Sequence, residues 1–223
     1  MKRIFLLLVI AMLALLSVAC ANDTTSNTTK QAPQIAAKTT YTNSLAGKKI
    51  LVAYFSATNN TKRVAEEIAQ ATGADIYRIE AAQSYSANPY DDKDLIQKEA
   101  YENLRPEVKA PLPASEMAKY DVIFVGSPIW WHQPAMVVCT FLESYDLSGK
   151  TVVPFFTYGA RSYLNESMQR IYKSTPNSVH VPASLPKDIE PDNIQQSQND
   201  DDGIIMPADV DNIDTWLKVL QLK

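Results

Sequence analysis

Five hydroxyl and amide side chains lie within six consecutive positions, namely Ser56, Thr58, Asn59, Asn60 and Thr61. An apolar stretch precedes this cluster and an amphipathic helical pattern follows it at residues 62–71. A helix start offers backbone N–H groups without intrahelical acceptors, together with the positive end of the helix dipole. Since no lysine or arginine lies inside the cluster, the pattern favours a phosphate site built from neutral donors over an ordinary helix cap.

A second loop, at residues 127–134, contains two adjacent tryptophans, Trp130 and Trp131, directly after Pro128 and Ile129. Paired tryptophans suit a flat aromatic ligand, on which they stack or which they enclose. Because neighbouring loop residues usually point in different directions, we expect one ring to pack inward and the other to meet the ligand.

A third loop begins with Thr157, Tyr158 and Gly159. Tyr158 is either a second aromatic surface for the same ligand or a tyrosine at the rim of the site. Gly159 allows the backbone to approach a ligand closely.

Alternating strand and helix patterns position these loops. Apolar or alternating stretches predict strands at residues 50–56, 74–80, 122–127, 151–157 and 179–182. Helical patterns fall at residues 62–71, 92–104, 135–145, 163–174 and 211–222. This order predicts a parallel α/β sandwich, in which ligands bind beyond the carboxyl ends of the strands. The three loops are therefore expected to meet at one edge of the sheet.

The amino-terminal residues have the pattern of a bacterial lipoprotein signal. Lys2 and Arg3 precede an apolar stretch too short for a comfortable membrane span, and small Ala19 precedes Cys20. We expect residues 1–19 to be removed and Cys20 to be lipidated, which would anchor the chain to a membrane outside the cytoplasm. A plain secretory signal and an uncleaved anchor are the alternatives.

Composition divides the remainder into a tether and one domain. Residues 20–47 are expected to form a polar, disordered tether, and residues 48–223 one domain with a surface insertion at 185–208. Cys139 is the only cysteine besides Cys20, so no disulfide is expected within the domain. With a formal net charge of −4 and no basic stripe, nucleic-acid binding is not expected. The protein is expected to be a monomer.

Three segments resemble the flavodoxins, in particular the bacterial subgroup with a Pro-Ile-Trp-Trp loop. These segments are residues 52–62, 126–131 and 141–150. The resemblance implies a five-stranded parallel sheet in the order 2-1-3-4-5 and noncovalently bound FMN. It further implies that residues 56 and 58–61 hold the FMN phosphate, that residues 128–131 line the isoalloxazine ring, and that residues 157–159 close its other side.

Two positions depart from the family pattern. Asn59 stands where family members commonly have glycine, and asparagine tolerates the left-handed backbone at modest cost. His132 stands where a glycine often follows the two tryptophans.

Three functions are compatible with these residues. The leading hypothesis is an FMN-dependent electron carrier, tethered outside the cytoplasm, whose partner is an unidentified redox protein or a quinone. The second is an FMN-dependent NAD(P)H or quinone reductase, with Tyr85, Tyr90 and His132 bordering an open pocket. The third is a flavin-free binding module on the same fold.

Overall fold

The structure is a computed structural model that describes residues 45–86, 88–158, 163–181, 203–205 and 213–222. Every described residue lies in one compact unit, Tyr41–Lys223. The predicted signal segment, Cys20 and nearly all of the tether lie outside the described residues. So do Gly159 and most of the predicted insertion at 185–208.

Five parallel strands form the centre of the domain, in the order β2-β1-β3-β5-β6, which confirms the predicted order of parallel strands. Two short antiparallel strands, β4 on β3 and β7 on β5, were not predicted. The strands are β1 (Ile50–Tyr54), β2 (Asp75–Arg78), β3 (Val122–Trp130), β4 (Gln133–Pro134), β5 (Thr151–Tyr158), β6 (Val179–His180) and β7 (Gly203–Ile205).

Helices cover both faces of the sheet and make a three-layer sandwich. They are α1 (Asn60–Thr72), α2 (Lys93–Tyr101), α3 (Ala114–Met117), α4 (Met136–Glu143), α5 (Leu164–Ser174) and α6 (Ile213–Val219), with a 3₁₀ turn at Pro89–Asp92. Alternate residues of β1 enter two separate cores, as expected for a strand buried on both faces. One core joins the sheet to α4 and α5, and the other joins it to α1 and α6.

Close packing between β3 and β5 requires a glycine at position 126. A Cβ atom there would overlap the fully buried ring of Phe155. Gly126 lies four positions before Trp130, so its packing against Phe155 fixes the strand that leads into the second loop.

Strand β3 is longer than predicted and alters the second loop. The prediction that β3 ends at residue 127 is wrong, because Pro128 still pairs with Thr157 of β5 and Ile129 pairs with Pro134 of β4. The predicted ring-lining residues Pro128, Ile129 and Trp130 therefore lie in a strand of a short hairpin and not in an open loop.

Part of the predicted surface insertion also belongs to the sheet. Strand β7 pairs with the last residues of β5, at Phe156, Thr157 and Tyr158. Residues 203–205 thus add an antiparallel strand beside the carboxyl-terminal residues of β5.

Candidate functional site

The first loop connects β1 to α1 and ends in a left-handed residue. Asn59 has a φ of 68°, which confirms the expectation that asparagine takes this conformation, and its carbonyl accepts the first helical bond from the Arg63 N–H at 3.0 Å. Helix α1 begins at Asn60, two positions before the predicted start. Asn60 and Thr61 thus occupy the first turn, where backbone N–H groups have no intrahelical acceptor.

Three buried hydroxyl groups lie in or beside this loop. Ser56 is only 2% exposed, and its Oγ has no hydrogen-bond partner among the described residues. A buried polar group without a partner costs about 1–3 kcal/mol, so this hydroxyl indicates a ligand that would satisfy it. The Thr61 and Thr157 hydroxyls form a hydrogen-bonded pair at 2.7 Å, which joins the first loop to the end of β5.

The rim of the first loop is polar and accessible. Thr58 and Asn59 are exposed and Asn60 is half-buried. Arg78, which was not predicted as a site residue, donates from its guanidinium to the Ser56 carbonyl at 3.1 Å. Because Arg78 pairs with Tyr54 in the parallel register of β1 and β2, aligning the ends of the two strands would have identified it.

The second loop is a hairpin turn of two residues, Trp131 and His132, between β3 and β4. Their φ angles are 46° and 69°, and two successive positive φ values are the pattern of a type I′ turn, which favours Asn-Gly sequences. A non-glycine residue in such a conformation costs about 1–3 kcal/mol, and such strain concentrates at functional sites. The base of the hairpin is closed by Ser127, whose Oγ accepts from the Ala135 N–H at 2.9 Å.

The two adjacent tryptophans have different environments. Trp130 lies edge-on to Phe55 and Tyr85, with both ring centroids 5.2 Å away. Trp131 is 39% exposed and lies 6.3 Å from the ring of Tyr101. The structure therefore confirms that one tryptophan packs inward.

Tyr85 is held by a buried carboxylate. Its hydroxyl donates to Glu99 of α2 at 2.8 Å. Burial raises the pKa of Tyr85, and the hydrogen bond to Glu99 raises it further. Burial also raises the pKa of Glu99, although the Tyr85 hydroxyl opposes this shift. Helix α2 thus supports the aromatic cluster on which Trp130 rests.

The residues predicted for the third loop lie mainly inside β5. Thr157 is buried beside Thr61, and Tyr158 is 8% exposed and belongs to the core that faces α4 and α5. The alternative that placed Tyr158 at the rim is therefore wrong, because the strand continues through this residue. Gly159 lies outside the described residues.

The second loop and the region after β5 meet through stacked rings. The His132 imidazole lies over the Tyr163 ring at a centroid distance of 3.5 Å and an interplanar angle of 12°. The structure therefore brings the three predicted loops to one sheet edge, joined by the Thr61–Thr157, Phe55–Trp130 and His132–Tyr163 contacts.

Two cavities lie near the ends of the sheet. A cavity of about 130 Å³ lies beside the first loop, with Ser56, Arg78, Tyr85 and Lys109 in its lining. The other, about 380 Å³, is lined by residues 143, 145–148 and 173–178 around the carboxyl ends of α4 and α5. The reductase hypothesis grouped Tyr85, Tyr90 and His132, but only Tyr85 lines the first cavity.

Three further observations concern metal binding, membrane spans and the free cysteine. In the described part of the chain, no group of three or more His, Cys, Asp and Glu residues is placed to hold a metal ion. None of the described helices has the length and apolar character to cross a membrane. The Cys139 thiol is buried as expected, and burial raises its pKa.

The residues at the edge of the sheet fit FMN. The first loop supplies an unpartnered buried hydroxyl, a helix start and exposed amide groups, which suit a phosphate. The hairpin and the end of β5 stand on adjacent strands and supply apolar and aromatic surface, which suits a flavin ring.

Comparisons with known proteins agree with this geometry. A family model described as flavodoxin matches residues 49–197, more than half of the chain. A protein from Bacteroides eggerthii DSM 20697, named as a flavoprotein, is similar at 31% identity and a TM-score of 0.57, covering 79% of this chain and 99% of its own. A protein from Bacteroides uniformis ATCC 8492, also named as a flavoprotein, is similar at 35% identity and a TM-score of 0.51, covering 60% of this chain and 89% of its own.

A flavoprotein from Lactobacillus acidophilus NCFM, solved in complex with FMN, shares the fold at 24% identity and a TM-score of 0.50, over 60% of this chain and 89% of its own. No match was found among curated proteins. On the family model and the similarity to the Bacteroides eggerthii protein, the chain belongs to the flavodoxin family, which confirms FMN as the cofactor expected from the sequence.

Proposed function

We propose that this protein is an FMN-dependent electron carrier that works outside the cytoplasm. The proposal rests on the buried Ser56 hydroxyl, which has no partner among the described residues and lies in the loop between β1 and the start of α1. A neutral-donor phosphate site beside an aromatic hairpin suits a flavin mononucleotide, and the bound flavin would supply the redox chemistry.

The chain's own residues would bind and shield the flavin. Ser56, the polar residues at 58–60 and Thr61 would donate to its phosphate. The hairpin residues Pro128 to Trp131 would line one side of the ring, and Thr157, Tyr158 and Gly159 the other. Apolar and aromatic walls exclude water from the ring, which is how a protein sets the redox potential of a bound flavin.

We place the carrier before the reductase because the sequence contains no second dinucleotide fingerprint. A reductase also needs a cleft over the ring that admits a nicotinamide or quinone. Exchange of electrons at an exposed flavin edge needs no such cleft, and either a redox protein or a quinone could be the partner of this protein.

The first test is the visible spectrum of the purified protein during titration with FMN. We expect about one FMN per chain, and photoreduction in two resolvable steps would support a one-electron carrier. Reduction in a single step, with rapid NAD(P)H oxidation in the presence of quinones, would support the reductase instead. No flavin binding at saturating FMN would overturn both and favour the binding module.

The location proposed here depends on Cys20. In cells, we expect the full chain to fractionate with membranes, and Cys20→Ser to release it or leave it unprocessed, because lipid attachment needs the cysteine sulfur. Incorporation of a radiolabelled fatty acid into the native chain but not into the variant checks this. Equal membrane association of both chains without label would contradict the lipoprotein.

A further inference from the structure

The hairpin turn is too strained to be set by its own sequence. Trp131 and His132 both have positive φ, and neither is a glycine, asparagine or aspartate. Such conformations persist only where surrounding contacts determine them. The contacts that hold this turn therefore decide the backbone geometry beside the predicted flavin ring.

Three of these contacts come from one side of α5. The Tyr163 ring stacks on His132, and the Ser167 hydroxyl donates to the His132 carbonyl through a long hydrogen bond of 3.4 Å. The Arg170 Nε donates to the Gln133 side-chain oxygen at 2.7 Å. Tyr163 precedes α5 directly, and spacings of four and three place these residues on one helix face. We call Tyr163, Ser167 and Arg170 the α5 clamp.

Arg170 is itself fixed by a polar chain that leads away from the hairpin. It donates to the Asn103 side-chain oxygen at 2.7 Å, and Arg105 donates to the same oxygen at 2.9 Å. Arg105 in turn makes two hydrogen bonds to Glu143 of α4, at 2.6 and 2.9 Å. Burial opposes the shift, but the hydrogen bonds from Arg105 and Ser174 hold the pKa of Glu143 below its usual value.

The hairpin tip has weaker support on its other side. Trp131 touches Tyr101 only at 6.3 Å between centroids, and Tyr101 is 60% exposed. An exposed pair at this distance contributes little restraint. Apart from the pairing of β3 with β4, the α5 clamp is therefore the main restraint on the turn among the described contacts.

We infer that the α5 clamp is the positioning device of the flavin site: it sets the hairpin turn in its strained conformation before the cofactor binds. This inference rests on the proposed function in one respect, namely that the hairpin lines the flavin. Helix α5 follows β5, so one helix connects the two elements expected on opposite sides of the ring. A site formed in advance of binding retains its ligand more tightly.

Arg170→Met tests the inference, because it removes the donors and keeps an apolar stem. Lys173→Met, on the same helix and without a contact to the hairpin among the described residues, is the matched control for loss of one positive charge. Amide hydrogen exchange of the FMN-free full chain is the first readout. We expect faster exchange at residues 128–134 in Arg170→Met but not in Lys173→Met, with α1 unchanged in both.

The second readout is the FMN dissociation rate, followed by recovery of flavin fluorescence, together with the midpoint potential. Arg170→Met and Tyr163→Ala should each raise the rate about tenfold, the equivalent of about 1.4 kcal/mol. They should also shift the potential, which a purely structural role would leave unchanged. Failure of the native chain to bind FMN would overturn the proposed function. The exchange data, which need no FMN, would still show whether the α5 clamp restrains the hairpin. Native exchange at the hairpin in both clamp variants would overturn the clamp.

Discussion

The hairpin and the loop proposed to hold the FMN phosphate, residues 56–61 (the phosphate loop), both contain left-handed residues, but they reach that conformation in different ways. Asn59 closes a loop whose helix start and polar residues are all contributed by one short segment. Trp131 and His132 adopt positive φ in a turn where Asn-Gly would be ordinary. Their conformation is held by residues of α5 that lie 30 to 40 positions later, such as Arg170.

This difference separates a ligand site made by local sequence from one made by tertiary contacts. A local site is expected to survive changes elsewhere in the domain and to respond mainly to its own residues. A site held by distant contacts is expected to lose its geometry when those contacts are removed, even though none of them touches the ligand.

Ser56→Ala should have opposite effects on binding and on stability. A hydrogen bond to a charged phosphate contributes about 1.5–3 kcal/mol, so we expect FMN affinity to fall roughly 10- to 100-fold. The ligand-free protein should become slightly more stable, because a buried hydroxyl without a described partner is removed. Calorimetric titration and thermal unfolding measure the two effects.

Riboflavin and the exposed Ser115 provide the controls for that change. Riboflavin has no phosphate, so Ser56→Ala should leave its affinity unchanged. Ser115→Ala should alter neither affinity, because Ser115 lies on α3 at the surface. An equal loss of affinity for FMN and riboflavin would show that Ser56 does not contact the phosphate.

Gly126→Ala should weaken the strand that carries the hairpin. The added methyl group would overlap Phe155 in a core without space, and overpacking of this kind costs about 1–3 kcal/mol. Chemical denaturation measures the loss of unfolding free energy. Combining it with Phe155→Leu should recover part of the loss, since the two changes are coupled. A simple sum of the two single effects would mean that the overlap is relieved elsewhere.

The sequence allowed prediction of the parts that short segments encode. Periodicity predicted the order of the parallel strands, and the polar residues from Ser56 to Thr61 predicted a polar loop that leads into a helix start, as the structure shows. The register of β3 with β5 and the 2.7 Å contact between Thr61 and Thr157 join residues 96 positions apart, beyond the range of any local pattern. The hairpin could not be predicted for the same reason, because nothing near Trp131 signals a turn that depends on Tyr163 and Arg170.

Glu99→Gln should stabilise the support beneath Trp130 in a pH-dependent way. The pKa of Glu99 is raised by burial, so the native state holds this proton more tightly than the unfolded state does. The contribution of protonated Glu99 to stability is fully present below the pKa that glutamate has in the unfolded chain, about 4.3. This contribution is lost as the pH rises through the pKa of Glu99 in the folded protein. The unfolding free energy of the variant should therefore be higher than that of the native protein by up to about 1 kcal/mol at pH 7.

Below pH 4 the two proteins should have equal unfolding free energies, measured by urea titration at each pH. A glutamine keeps an acceptor for the Tyr85 hydroxyl, so the aromatic cluster should survive. A variant that is less stable at pH 7 would show that the ionised carboxylate itself holds Tyr85.

Asn59→Gly should have the smallest effect, because it restores the residue that the family commonly has. Relief of the left-handed backbone favours the variant by at most about 1 kcal/mol, and the greater flexibility of glycine in the unfolded chain offsets about 0.5–1 kcal/mol of that gain. We therefore expect the unfolding free energy and the FMN affinity to stay close to native values.

His132→Gly makes the same relief in the hairpin but removes the ring stacked on Tyr163. The backbone would gain freedom just where the α5 clamp restrains it, so FMN affinity should fall although the local strain is lower. Measuring both variants by FMN titration separates the two regions. If His132→Gly bound FMN as tightly as Asn59→Gly, the hairpin would be as locally determined as the phosphate loop, and contacts from α5 would have no part in shaping the flavin site.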